Sequence, residues 1–92
     1  MSALSNQEVA LRLLALPDWR LEAGELVRVV QFPDFRSALR FVDRVGELAE
    51  EAGHHPDIDI RYNRVRLSLV THDAGGLTEK DFDLASRTDK LV

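Results

Sequence analysis

Hydrophobic and polar positions along this chain recur with two different periods, and each change of period marks an element. Val9, Leu13 and Leu16 fall at helical spacing behind Ser5 and Glu8, an S-x-x-E pair that can cap a helix start, and Pro17 ends the run. Residues 26–32 (LVRVVQF) are rich in β-branched side chains and bounded by Gly24 and Pro33, which predicts a strand. Residues 19–21 can pair with it across a turn at 22–25. From Phe35 the period becomes helical: Phe35, Ala38, Leu39, Val42, Val45, Ala49 and Ala52 make an apolar stripe between Asp34, an N-cap candidate, and Gly53. The opposite face, with Arg36, Arg40, Asp43, Arg44, Glu47 and Glu51, reads as solvated charge with some i,i+4 pairing.

Strict alternation returns afterwards. Ile58, Ile60 and Tyr62 alternate with Asp57, Asp59 and Arg61, and Val65, Leu67 and Leu69 alternate with Arg64, Arg66 and Ser68. This predicts an antiparallel hairpin turning near Asn63, its second strand running from Arg64 to His72. Residues 73–76 (DAGG) form a turn, and Thr78 with Asp81 makes a second capping pattern, opening a helix through Phe82, Ala85 and Leu91. The predicted order is α-β-β-α-β-β-α. Its simplest packing is an α+β fold, a four-stranded antiparallel sheet with helices packed on one face, and the whole of 1–92 reads as a single domain.

Composition narrows the possibilities. With 92 residues, 45% of them apolar and none of them cysteine, the core must be held by packing, to which self-association can add at this size; a homo-oligomer is expected. A formal charge of −4 argues against direct nucleic-acid binding. No basic start is followed by a long apolar stretch, and runs such as 13–16 are too short to span a bilayer, so no membrane association and a cytoplasmic location are expected.

All three histidines fall between positions 54 and 72, two of them adjacent in Glu50-x-x-x-His54-His55-Pro56. Imidazole exchanges protons near neutrality without special help, so convergence of these groups would make a proton-transfer site. Two other readings stand beside this one: histidines that merely cap helices or sit on the surface, and a three-histidine metal site. Adjacent residues on an extended segment point to opposite faces, so the metal reading requires an irregular backbone, and neither cysteine nor an H-E-x-x-H pattern supports it. His54 precedes Asn63 by as many residues as His72 follows it, so a hairpin turning there brings both to one sheet edge. Glu50 reads as a solvated helix charge or as a group orienting an imidazole. Asp81 reads as a helix cap that can also partner His72. Pro56 fixes the backbone after the histidine pair. Gly75-Gly76 reads as a plain turn rather than a phosphate cradle.

The spaced set Glu50, His54-His55-Pro56, Tyr62, His72 and Asp81 resembles the signature of the pterin-4a-carbinolamine dehydratase family. Tyr62-Asn63-Arg64-Val65, the run from Thr71 to Thr78 (THDAGGLT), and Trp19 ahead of the first strand pair extend the resemblance over nearly the whole chain. It implies the fold drafted above, assembled into dimers or tetramers, and a hydro-lyase that removes water from 4a-hydroxytetrahydrobiopterin to give quinonoid dihydropterin in tetrahydrobiopterin recycling. It further implies catalysis by His54, His55 and His72 without metal or cofactor. His54 and His72 would be the acid–base pair and His55 a substrate-binding histidine, with Glu50, Pro56, Trp19 and Asp81 in substrate-binding or supporting positions. On this reading Trp19 is either core or a wall against the flat pterin. The chain departs from many animal members at Ile58, where they carry an aromatic residue, which bears on pocket details. Alternative roles are pterin binding in another pathway, such as molybdopterin metabolism, and a non-enzymatic dimerisation module like that served by animal relatives.

Overall fold

Helix starts in this protein fall where side chains can serve the free N–H groups of a first turn. Ser5 and Glu8 exchange backbone-to-side-chain hydrogen bonds of 3.1 and 3.2 Å, opening α1 (Asn6–Leu13). Asp34 accepts from the Ser37 backbone N–H at 2.8 Å and opens α2 (Phe35–Ala52), which Gly53 closes at a left-handed φ of 63°. Thr78 and Asp81 form the capping box of α3 (Glu79–Asp89). The computed structural model describes residues 2–92. Its strands are β1 (Arg20–Glu22), β2 (Glu25–Gln31), β3 (Asp57–Arg61) and β4 (Arg64–Leu69). All pair antiparallel in the order β1-β2-β4-β3, so the element order and the α+β class are those expected from the pattern.

The helices cover one face of the sheet. Leu26 and Val30 of β2 and Val65, Leu67 and Leu69 of β4 point into the core, where Ala38, Phe41 and Val45 of α2 and Phe82, Leu84 and Ala85 of α3 meet them. Alternate strand positions, among them Val29, Asp59, Arg64 and Arg66, lie on the uncovered face. Asn63 ties the hairpin to the rest of the sheet: its side-chain amide donates to the Phe32 carbonyl at 2.7 Å, and the Phe32 N–H donates back to the Asn63 carbonyl at 2.8 Å.

Three features of the sequence pattern are corrected. The core stripe of α2 is rotated: Phe41 is buried whereas Phe35 and Leu39 are 45% and 40% exposed. Phe41 packs against Phe32, with ring centroids 5.0 Å apart, and this contact with the chain entering the helix sets its rotation. The charged outer positions of α2 are exposed as expected, but among the described residues no ion pair forms between them. Finally, β4 ends at Leu69, and His72 lies in a short 3-10 turn (His72–Ala74) instead of at a strand end.

Candidate active site

Gly53 turns the chain out of α2, and the next residue's N–H, that of His54, still donates to the Ala49 carbonyl at 3.1 Å. The backbone of His54 is thereby held to the helix end. Its side chain is only 12% exposed, and Nε2 lies 2.5 Å from Oδ1 of Asp81. Asp81 is fully buried, because it is the residue of the α3 capping box that reaches back into the fold. Its second oxygen, Oδ2, accepts from the Thr71 hydroxyl at 2.8 Å and from the Thr78 backbone N–H at 2.9 Å. An unpaired carboxylate in such a place would cost several kcal/mol. Here every oxygen is served, and among the described residues no buried side-chain polar atom lacks a partner.

The other two histidines are more open. His55 Nε2 is 2.5 Å from Glu50 Oε2, with both side chains exposed, so the pair adds little stability and acts on the orientation of the ring. His72 is carried by a tight loop that Thr71 and Gly76 close through two backbone hydrogen bonds of 3.1 and 3.4 Å. Gly75 supplies the left-handed φ of 74° this loop needs, and a Cβ on Gly76 would lie 3.0 Å from that of Ala3. The glycine pair is thus a turn with a close approach.

His54, His55 and His72 line one groove of about 280 Å³, together with Thr71, Asp73 and Lys80. A groove of the same 280 Å³ lies on the uncovered face of the sheet, lined by Val29, Asp59, Arg61, Arg64 and Arg66. Its three basic side chains are arginines, which keep their protons at any physiological pH, and it holds no imidazole. Among the described residues no group of three or more His, Asp or Glu side chains is disposed to hold a metal ion.

The expected supporting residues divide. Asp81 joins the histidines, but through His54 and not His72. The physical reason is register and the loop: Arg61 faces Arg64 and Asp57 faces Ser68, a register that, were it extended, would match His54 to Thr71 and not to His72, and His72 is drawn into the 3-10 turn beyond the strand. Glu50 reaches the site only through His55. Pro56 stands half-buried between His55 and the first residue of β3. Trp19 is not brought to the groove. It is buried in the core and its indole N–H donates to Asp89 at 2.7 Å, eight residues along α3 from Asp81 and so about 12 Å away along the helix axis. Sequence reasoning missed Thr71; the hairpin register, had it been fixed by the Tyr62-Asn63 turn, would have pointed to it.

The model of the family described as Pterin 4 alpha carbinolamine dehydratase matches residues 2–91. The chain belongs to this family. It is similar over its full length to relatives named "Putative pterin-4-alpha-carbinolamine dehydratase": 61% identical to one from Acidobacterium capsulatum, covering 100% of both chains, and 59% identical to one from Chloroflexus aurantiacus, covering 100% of this chain and 99% of the other. Among solved structures, the transcriptional coactivator/pterin dehydratase from Brucella melitensis superposes with a TM-score of 0.94 at 32% identity over 98% of each chain. A pterin dehydratase-like protein described as a RuBisCO assembly factor in the alpha-carboxysome superposes less completely, with a TM-score of 0.69 at 27% identity over 80% of this chain and 88% of that one. The coactivator and assembly roles are those of the two proteins named. Within the pterin-4a-carbinolamine dehydratase family, this chain is therefore a member whose match extends through every element that frames the histidine groove.

Proposed function

We propose that the chain works as a pterin-4a-carbinolamine dehydratase, a hydro-lyase acting at the groove of His54, His55 and His72. The observation that carries the reading is the meeting of these imidazoles on one groove, one of them anchored to a buried carboxylate. In the reaction, the C4a–O bond of 4a-hydroxytetrahydropterin breaks while an acid protonates the departing hydroxyl. The N5 lone pair forms the C4a=N5 double bond, and the N5 proton passes to a base, leaving quinonoid dihydropterin and water. No electrons leave the substrate, so positioned acids and bases account for the whole step. General acid–base catalysis of this kind contributes about 10²–10⁴-fold.

His54 and His72 are assigned the acid–base work and His55 contact with the pterin, with Asp81 positioning His54 and Glu50 positioning His55. Pro56 keeps the residue before it extended. The same reading includes one domain over 1–92, self-association as a homodimer or homotetramer, a place in tetrahydrobiopterin recycling, and a cytoplasmic location. Among the described residues no helix is long and apolar enough to cross a membrane. Stopped-flow dehydration of freshly generated 4a-hydroxytetrahydropterin tests the proposal. The protein should speed the reaction about 10²-fold or more over buffer; a rate equal to that of buffer rejects it.

A further inference from the structure

The hydroxyl of Thr71 is buried between two oxygens, 2.8 Å from Asp81 Oδ2 and 2.8 Å from Thr78 Oγ1. Two hydroxyl hydrogens must be placed along this row, and the surroundings admit one complete arrangement. Thr78 Oγ1 already accepts from the Lys80 backbone N–H at 3.3 Å. If Thr71 donated to Thr78, the Thr78 hydrogen would have no acceptor, and Asp81 would face Thr71 with no hydrogen between the oxygens unless it carried one itself. If Thr78 donates to Thr71 and Thr71 to Asp81, every hydrogen has an acceptor and every acceptor a hydrogen. Asp81 Oδ2 then receives two donors, the Thr71 hydroxyl and the Thr78 backbone N–H at 2.9 Å. The carboxylate is an acceptor on this side, and the only remaining partner on the other side is His54 Nε2 at 2.5 Å.

We infer that Thr71 is a positioning residue: through Asp81 it fixes His54 as the Nε2–H tautomer and leaves Nδ1 as the ring nitrogen that exchanges a proton in the groove. The assignment rests on the dehydratase reading only for what Nδ1 does. The tautomer itself follows from the hydrogen-bond row with Asp81 ionised, the state in which Oδ1 can only accept; a hydrogen on Oδ1 would satisfy the row as well and reverse the tautomer, and Nδ1–H in the unaltered protein is its signature. Orientation of an imidazole by a buried acceptor decides which nitrogen is available, and the wrong tautomer in a fixed ring cannot do the work.

The test is the ¹⁵N NMR signature of the His54 ring in four forms of the full chain, with His55 and His72 as internal references and turnover measured alongside. The unaltered protein should show Nε2 protonated and Nδ1 bare. In Asp81→Asn, Thr71 and the Thr78 N–H hold the amide oxygen on their side and turn the amide NH₂ towards His54, so Nε2 becomes an acceptor and the proton moves to Nδ1. Thr71→Val, which keeps the side-chain shape but removes the donor, should give mixed tautomers and a turnover loss of about tenfold or more. Thr71→Ser should restore both. Nδ1–H in the unaltered protein, an unchanged His54 spectrum in Thr71→Val, or Thr71→Ser behaving as Thr71→Val overturns the inference. Should Thr71→Val not fold, Asp81→Asn decides alone, and Nε2–H retained there is contrary. If the tautomers follow this pattern while the unaltered protein does not speed dehydration, the relay stands and the functional reading fails.

Discussion

Asp81 meets three partners at once, the His54 ring, the Thr71 hydroxyl and the Thr78 backbone N–H, and its place in a capping box is what brings a carboxylate so deep into the fold. Trp19 has a comparable anchor at the other end of α3. Its indole N–H meets Asp89, which also pairs with Arg28, itself only 12% exposed. Removing the indole donor while keeping an aromatic ring separates structure from chemistry. Trp19→Phe should lower the unfolding free energy by about 1–2 kcal/mol in urea titrations and leave the dehydration rate unchanged. A fall in rate with stability intact would place the ring in the site after all. The histidine cluster and Asp81 were legible as residues because few side chain types exchange protons near neutrality and because both fall in a spaced motif. The partner of Asp81 was not, since a one-residue shift of a hairpin changes which end residues meet and the turn could be centred on Asn63 or on Tyr62-Asn63. The structure decides by giving Tyr62 a left-handed φ of 52°.

At the scale of elements, the caps carried most of the information. Ser5, Asp34, Gly53 and Thr78 each mark a helix boundary to within a residue of the observed one, because each has a specific backbone group to satisfy. The rotation of α2 was less legible: Phe35, Leu39 and Phe41 are all apolar, and only the packing of Phe41 against Phe32 decides which of them turns inward. The end of β4 was hidden for a related reason, since the β-branched Val70 and Thr71 keep a strand-like composition past Leu69 while the Thr71–Gly76 bridge pulls the chain into a loop. Asp34 makes a prediction that belongs to this scale. The Ser37 backbone N–H, and then its hydroxyl, hold the Asp34 carboxyl below the usual carboxylate range, with Arg36 and Arg40 adding to the effect. A group depressed in the folded state stabilises above its unfolded value, about 3.9, and loses that contribution as pH falls through the lower folded value. Asp34→Ala should therefore lower Tm by roughly 4–8 °C near neutrality, with the difference from the unaltered protein shrinking below about pH 3.9. Thermal melts across pH check this; a difference independent of pH would mean that the charge of Asp34 plays no part in the cap.

For the molecule as a whole, the site is a consequence of topology. The β3–β4 hairpin separates the end of α2 from the stretch that runs from the loop after β4 into the start of α3, and its antiparallel pairing gathers both at one edge. That gathering was readable from the order of elements and the hairpin period, as was the single covered face of the sheet. What could not be read was the division of the three histidines into one anchored ring and two open ones, which depends on how deeply α3 seats its first turn. On the proposed assignment, the anchored ring of His54 and the loop-borne ring of His72 together move the protons. Single-turnover dehydration of 4a-hydroxytetrahydropterin by the unaltered protein, His54→Ala, His72→Ala and the double variant, each verified as folded by circular dichroism, tests this most directly. Each single variant should lose about 10-fold or more and the double variant should approach the buffer rate, with losses that do not add because the two groups serve one step. A double variant as fast as the unaltered protein would contradict the assignment of the chemistry to this groove.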